Sequence, residues 1–349
     1  MQKNSLERLI SEKISANGGK IPFPSFMELA LYAPGLGYYT NGLEKFGPKG
    51  DFVTAPELSP LFGKCISHSL KDFTQILEFG AGTGALAKSI IESHETLENY
   101  WILEPSSELQ ARQKELLKNY KNKITWLTEL PKKFSGAIIA NEVIDAFPAT
   151  KFLWKDNIVW EYFVAEENNN FIFLTEPSQN KILIDFVKSL DLPNDYSSEM
   201  HLWLKPWIKS LGECLDSGLI LILDYGFPRH EFYHPERSMG TLMCHYQHRM
   251  HADPLFKPGE QDITAHVDFT ALAEAAVENN LTVAGYTSQA GFLLENKLLD
   301  FADPENDASA IKMLTLPSEM GELFKVILLT KDWEKTLSGF ALQDRRNRL

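Results

Sequence analysis

The sequence predicts an α/β protein built on a doubly wound, mostly parallel sheet. Short apolar runs alternate with helical patterns from Thr74 onward, the rhythm of βαβ units. A glycine loop, Glu78-Phe79-Gly80-Ala81-Gly82-Thr83-Gly84-Ala85, stands where a strand gives way to a helix. Gly218–Asp224 (GLILILD) is apolar throughout, as expected of a strand covered by helices on both faces.

In chain order, Thr74–Phe79 is a β-rich run that breaks into the glycines, and Ala85–Ser93 reads as the helix after them. Tyr100–Leu103 is a second strand, followed by Ser106–Lys118, rich in helix formers. Ile124–Leu127 and Gly136–Ala140 are the third and fourth, and Gly218–Asp224 is the fifth. Phe269–Asn279 is an amphipathic helix leading into Leu281–Tyr286, and Phe324–Thr330 closes the series. Seven strands with five interleaved helices follow, the last two strands expected to pair as an antiparallel edge.

The predicted core is residues 74–146 and 218–335. Residues 1–73 precede it as a helical N-terminal extension, and 147–217 interrupt it as an inserted cap. Within the cap, Phe152–Trp160, Tyr162–Ala165 and Phe171–Thr175 alternate like hairpin strands around Glu166–Asn170. Tyr225–Ala265 is irregular, with Pro228, Pro235, Pro254 and Pro258, yet too aromatic for disorder.

The 349 residues are 44% hydrophobic and 23% charged, an ordinary globular composition. Lys and Arg number 34 against 47 Asp and Glu, a net charge of −13, which excludes a generic binder of nucleic acid or anionic membrane. Cys65, Cys214 and Cys244 are isolated thiols, pointing to a reducing compartment and not to a disulfide framework. No run approaches the ~20 apolar residues of a bilayer span. Met1–Lys20 lacks the apolar core of a secretory signal and the acid-poor character of a transit peptide, so a cytoplasmic setting is expected.

Glycines at a strand–helix junction let the backbone turn tightly and approach a ligand, while the helix start offers free N–H groups. Gly80, Gly82 and Ala85 satisfy G-x-G-x-x-A, a dinucleotide fingerprint; Glu78 with Gly80, Gly82 and Gly84 satisfies E-x-G-x-G-x-G, a loop associated with S-adenosylmethionine. Glu104, at the end of the next strand, can accept both hydroxyls of a ribose from either cofactor, or only help to start a helix. The strand ends are acidic, at Glu78, Glu104, Glu142 and Asp224, and no Lys or Arg lies in the loop. A sulfonium cation suits that setting better than a pyrophosphate does.

Asn141-Glu142-Val143-Ile144-Asp145-Ala146-Phe147-Pro148 follows the fourth strand, where open α/β sheets bind ligands. Glu142 and Asp145 can make paired hydrogen bonds to a planar guanidinium, and Asp224 belongs to the same rim. The plainer alternative has Asp145 capping a helical turn and Glu142 solvated. Ser25-x-x-Glu28 and Thr54-x-x-Glu57 read as capping boxes, and the turn from Gly50 to Glu57 has a second reading, closing over a cofactor pocket. Five of the nine histidines lie between His230 and His251, but their spacing matches no zinc motif. The three-residue steps from His245 to His251 predict one face of a short helix, with no metal expected.

The segments LYAPGLGYY (Leu31–Tyr39), GDFVTAPELSPLFG (Gly50–Gly63), EFGAGTGAL (Glu78–Leu86), NEVIDAFP (Asn141–Pro148), DYG (Asp224–Gly226) and DITAHVDF (Asp262–Phe269) together resemble the MidA-like family of S-adenosylmethionine-dependent methyltransferases. That family includes a mitochondrial complex I assembly factor that methylates an arginine of a complex I subunit. The resemblance implies a seven-stranded, Rossmann-like methyltransferase fold. It puts Gly80, Gly82, Gly84 and Glu104 on the cofactor, with Thr54, Glu78 and Asn141 lining its pocket. It also implies that Asp224 and the Asn141–Asp145 segment face the substrate. The expected function is N-methylation of an arginine presented by a partner protein. Glu142 and Asp145 would hold the guanidinium, and Asp224 would orient the nitrogen or accept its proton. Two other readings stay open, an assembly chaperone for a respiratory-complex subunit and a nicotinamide-dependent oxidoreductase. Monomer and homodimer are both compatible with the sequence.

Overall fold

A computed structural model describes residues 3–42 and 54–349. They form two compact units. One comprises the described residues up to 42 with Asp145–Trp203 and Arg229–His266; the other comprises the residues from 54 to Ile144 with Leu204–Pro228 and Val267–Leu349. These units do not coincide with the boundaries 1–73, 147–217 and 74–146 with 218–335 expected from sequence. Residues 54–73 belong with the second unit, and the irregular 229–266 stretch with the first.

The second unit holds a mixed sheet. Its strands, in chain order, are β1 (Gln75–Phe79), β2 (Asn99–Leu103), β3 (Ile124–Leu127), β4 (Phe134–Asn141), β5 (Leu215–Phe227), β6 (Val267–Asp268), β7 (Thr282–Ser288) and β8 (Phe324–Lys331). The spatial order is β7-β8-β5-β4-β1-β2-β3, with β6 pairing beside the end of β5. β1 to β5 are mutually parallel where they pair, and β8 runs antiparallel to both of its neighbours. The last two strands therefore pair antiparallel at one edge of the sheet, as expected, with β7 outermost and β8 between it and β5. β8 is buried along nearly its whole length, which an interior position requires.

Apolar side chains from both sheet faces and the flanking helices make the core, among them Phe62, Ile66, Ile76, Ile90, Ile102, Ile139, Leu221, Leu223, Phe292 and Val326. Each such burial contributes roughly 1.5–3 kcal/mol. The parallel pair β4–β5 sets Gly136 opposite Gly218. A Cβ at Gly218 would lie 2.0 Å from the Gly136 carbonyl oxygen, and its φ of 136° disfavours any side chain. Two glycines in register therefore let these strands approach.

In the first unit the N-terminal segment and the insertion share a sheet. Lys20–Pro22 pairs antiparallel with Ile158–Glu167, which also pairs with Thr150–Lys155 and Asn170–Pro177; Tyr196–Met200 flanks Thr150–Lys155. The predicted Phe152–Trp160 run is two strands broken at Asp156-Asn157, with φ of 51° and 64°. Asn168-Asn169 repeats this geometry, and paired positive φ values define the tight turns preferred in hairpins. The histidine-rich stretch is also a hairpin, Met243–Tyr246 with Arg249–His251, and not the predicted helix. Ser25 lies inside the helix Phe23–Tyr32, so it caps nothing; Thr54 caps Ala55–Leu58 without a side-chain bond. Ser59 instead caps the next helix, Pro60–Ser69. Among the described residues no helix is long and apolar enough to cross a membrane.

Gly218→Ala forces β4 and β5 apart. The expected loss is roughly 2–4 kcal/mol of unfolding free energy, read as a lower urea midpoint. An unchanged midpoint would contradict the register given for these strands.

Candidate functional site

Strand order reverses between β1 and β4, and the carboxyl ends of adjacent strands at such a reversal are where open α/β sheets bind ligands. The loop after β1 supplies Gly80, Gly82 and Gly84, with φ of 60°, 53° and 88°. Only glycine adopts three such conformations so close together at low cost. Gly84 ends the turn as the N-cap of the helix Ala85–Ser93. A Cβ at Gly82 would meet nothing within 4 Å, so this glycine faces open space. A Cβ at Gly80 would come within 3.4 Å of a Val143 methyl, which brings the turn after β4 beside the glycine loop.

Two carboxylates lie beneath this loop. Glu78 is buried within β1 and accepts a hydrogen bond from the Tyr100 hydroxyl at 2.8 Å. Burial pushes its carboxyl up to about 8; the Tyr100 bond opposes the rise and the Glu104 charge adds to it. Glu104 is also buried and accepts from the Ser106 amide at 3.0 Å and the Gln113 side chain at 3.2 Å. Burial raises its pKa, against the bonds from Ser106, Gln113 and the Gly82 backbone.

Gln113 is the residue that sequence reasoning missed. Fully buried in the helix Ser107–Leu116, it donates to the Gly82 carbonyl at 2.9 Å as well as to Glu104, and accepts from the Trp126 indole at 3.0 Å. A polar residue on the apolar side of a helix, level with buried Leu109, is the only signal it leaves in the sequence.

The turn after β4 carries Asn141 and Glu142. Glu142 is held at φ 52°, a conformation uncommon outside glycine, its amide donating to the Leu223 carbonyl at 2.9 Å. Its carboxylate accepts from the Asn141 side chain at 3.1 Å. Asp224 departs from the substrate-facing position expected of it. It is fully buried, and its two oxygens accept the amides of Ile144 and Tyr225, each at 2.9 Å. Asp145 belongs to the other unit, where its carbonyl accepts from Ala265 at 2.9 Å. There Tyr39 donates to Asp262 at 2.8 Å, and burial, with the charges of Asp262 and Asp145, holds the Tyr39 phenol well above its ordinary pKa. Thr54 is half-buried at its helix start, and residues 50–53 of the expected closing turn lie outside the described residues. No group of three or more metal-ligating side chains occurs among the described residues.

A glycine loop over buried carboxylates, at the reversal point of a parallel sheet, defines the class of Rossmann-like enzymes whose cofactor carries an adenosine. A family model for S-adenosyl-L-methionine-dependent methyltransferases matches residues 65–287, and the chain belongs to this family. S-adenosylmethionine is its cofactor, which sets the nicotinamide reading aside. A protein from Burkholderia thailandensis, solved with S-adenosyl-homocysteine bound, superposes with a TM-score of 0.94 at 38% identity, over 99% of this chain and 96% of that one. Among curated relatives, the mitochondrial protein arginine methyltransferase NDUFAF7 homolog of Drosophila melanogaster is 29% identical, over 93% of this chain and 84% of its own. Human NDUFAF7, also named as a mitochondrial protein arginine methyltransferase, is 25% identical over 89% and 80%. The mitochondrial naming of these relatives overturns the expected cytoplasmic setting.

Glu78 makes stability pH-dependent. Below its ordinary value of 4.5 both folded and unfolded states hold the proton; between 4.5 and about 8 only the folded state does. Folding stability from this group is therefore full below 4.5 and is lost as pH rises through about 8. Urea denaturation of Glu78→Gln, without cofactor, should show a shallower decline between pH 5 and 8 than the native protein. Identical slopes would deny Glu78 its raised pKa.

Proposed function

We propose that this methyltransferase modifies an arginine side chain of a partner protein. The reading rests on Glu142, a carboxylate held in a left-handed backbone conformation directly after β4, on the turn that meets the glycine loop. Strain of this kind costs about 1–3 kcal/mol and is characteristic of functional positions. The names of the curated relatives support arginine as the recipient, and a respiratory-complex subunit is the partner implied by the family resemblance.

The residues fit the cofactor. Gly82 opens onto free space. Gly80, Gly82 and Gly84 would line the bound molecule, Glu104 would accept the ribose hydroxyls, and Glu78, Asn141 and Thr54 would complete the pocket. When bound, S-adenosylmethionine supplies a methyl group on a sulfonium cation. Glu142, steadied by Asn141, would grip the guanidinium by charge-assisted hydrogen bonds and receive the proton that the methylated nitrogen releases. Asp224 takes a different part from the one expected. With both oxygens committed to backbone amides, it fixes the turn that carries Glu142. Asp145 stays with its own unit.

Gly82→Val adds a branched side chain at positive φ and fills the open space, so S-adenosyl-homocysteine affinity should fall at least ~100-fold by calorimetry. Native-like binding would remove the glycine loop from the cofactor site. Glu142→Gln should keep that affinity and lose roughly 10²–10⁴-fold in methyl transfer. Mass spectrometry of cellular proteins, comparing strains that carry the native gene and the Glu142→Gln gene, should then find one or two methyl groups missing from an arginine. Full arginine methylation by the variant would sink the role given to Glu142.

A further inference from the structure

Gln113 joins three segments that are separate in sequence. Its amide nitrogen has two hydrogens, and both are used, on the Gly82 carbonyl at 2.9 Å and the Glu104 carboxylate at 3.2 Å. Its amide oxygen accepts the Trp126 indole N–H at 3.0 Å. Turning the amide over would set its oxygen against two acceptors and its NH₂ against a donor, replacing three hydrogen bonds by three repulsions. The side chain is fully buried, so water could not compensate. Only one orientation is available, and Trp126, on β3, enforces it. Gln113 also packs against the loop: a Cβ at Gly84 would come within 3.4 Å of its γ-carbon.

We propose that Gln113 is a positioning residue for the cofactor, locking the Glu104 carboxylate and the Gly82 carbonyl into one rigid surface that receives the ribose. This rests on the reading of Glu104 and the glycine loop as cofactor contacts. Both oxygens of Glu104 already accept protein donors, Ser106 on one and Gln113 on the other, so the direction of its remaining lone pairs is set. Gln113 also donates to the charged form of Glu104 and resists the protonation that burial favours. Losing that donor leaves Glu104 to the Ser106 and Gly82 amides alone, so it protonates more readily and is a poorer acceptor for hydroxyls.

The test is calorimetry with S-adenosyl-homocysteine from pH 6 to 9. Gln113→Met, similar in volume but without the amide, should weaken binding roughly 10-fold or more, the effect of losing a hydrogen bond to a charged group. It should also move the pH midpoint of binding upward. A purely structural role would lower the melting temperature and leave that midpoint in place. Gln113→Glu should bind worst at high pH and recover on acidification, as one of two facing carboxylates takes up a proton. If Gln113→Met does not fold, Trp126→Phe, which removes only the donor that orients the amide, should still weaken binding several-fold. Glu104→Ala separates the two levels. Native-like binding by Glu104→Ala would overturn the underlying reading of that residue. Lost binding in Glu104→Ala, with Gln113→Met binding like the native protein at every pH, would overturn the inference and leave the reading standing.

Discussion

Two carboxylates buried together beneath a glycine loop constrain everything else in this site. Glu78 and Glu104 end adjacent parallel strands, Glu78 within β1 and Glu104 one residue past β2. Burying one carboxylate without partners is costly, and burying two close together adds repulsion. The fold answers with donors of fixed geometry: the Tyr100 hydroxyl for Glu78, and the Ser106 amide and Gln113 side chain for Glu104. Those donors require β1, β2 and the helix after β2 to keep their register, so the demands of the site extend into the sheet.

The same logic explains Asp224. A fully buried carboxylate needs two or more donors, and the amides of Ile144 and Tyr225 provide them. One of these belongs to β5 and the other to the turn after β4, so Asp224 pins that turn to the neighbouring strand. The Glu142 amide makes a second tie, to Leu223 on the same strand. Two bonds to β5 hold Glu142 at a φ that the side chain itself disfavours.

The strands of the core were legible because each is a short apolar run bounded by glycine, proline or polar residues, and GLILILD could hardly be anything else. The glycine loop was legible because its spacing encodes a backbone conformation. Strand order was not. Nothing local in FKVILLT says that it slots between β5 and β7, since antiparallel insertion and edge pairing demand the same apolar pattern. The joining of Lys20–Pro22 to Ile158–Glu167 was equally hidden, a pairing of three residues across a long separation. Asp156-Asn157 and Asn168-Asn169 were readable in principle as tight-turn pairs, but the apolar alternation around them masked the first. The histidine spacing suggested a helix, but steps of three also fit a hairpin whose turn, at Gln247-His248, carries the second of the three histidines between strands that carry the other two. Gln113 escaped because a glutamine in a polar helix, with Gln110 one turn before it, carries no spacing rule.

In sequence, the acidic residues of the strand ends look like one rim of negative charge facing a cationic ligand. In the fold they divide by environment. Glu78 and Glu104 are buried and hydrogen-bonded, and burial pushes both toward their neutral forms. Asp224 is fully buried and accepts two backbone amides. Asp145 lies in another unit. Glu142 is partly exposed, accepts from the Asn141 side chain and sits in a left-handed backbone conformation under strain.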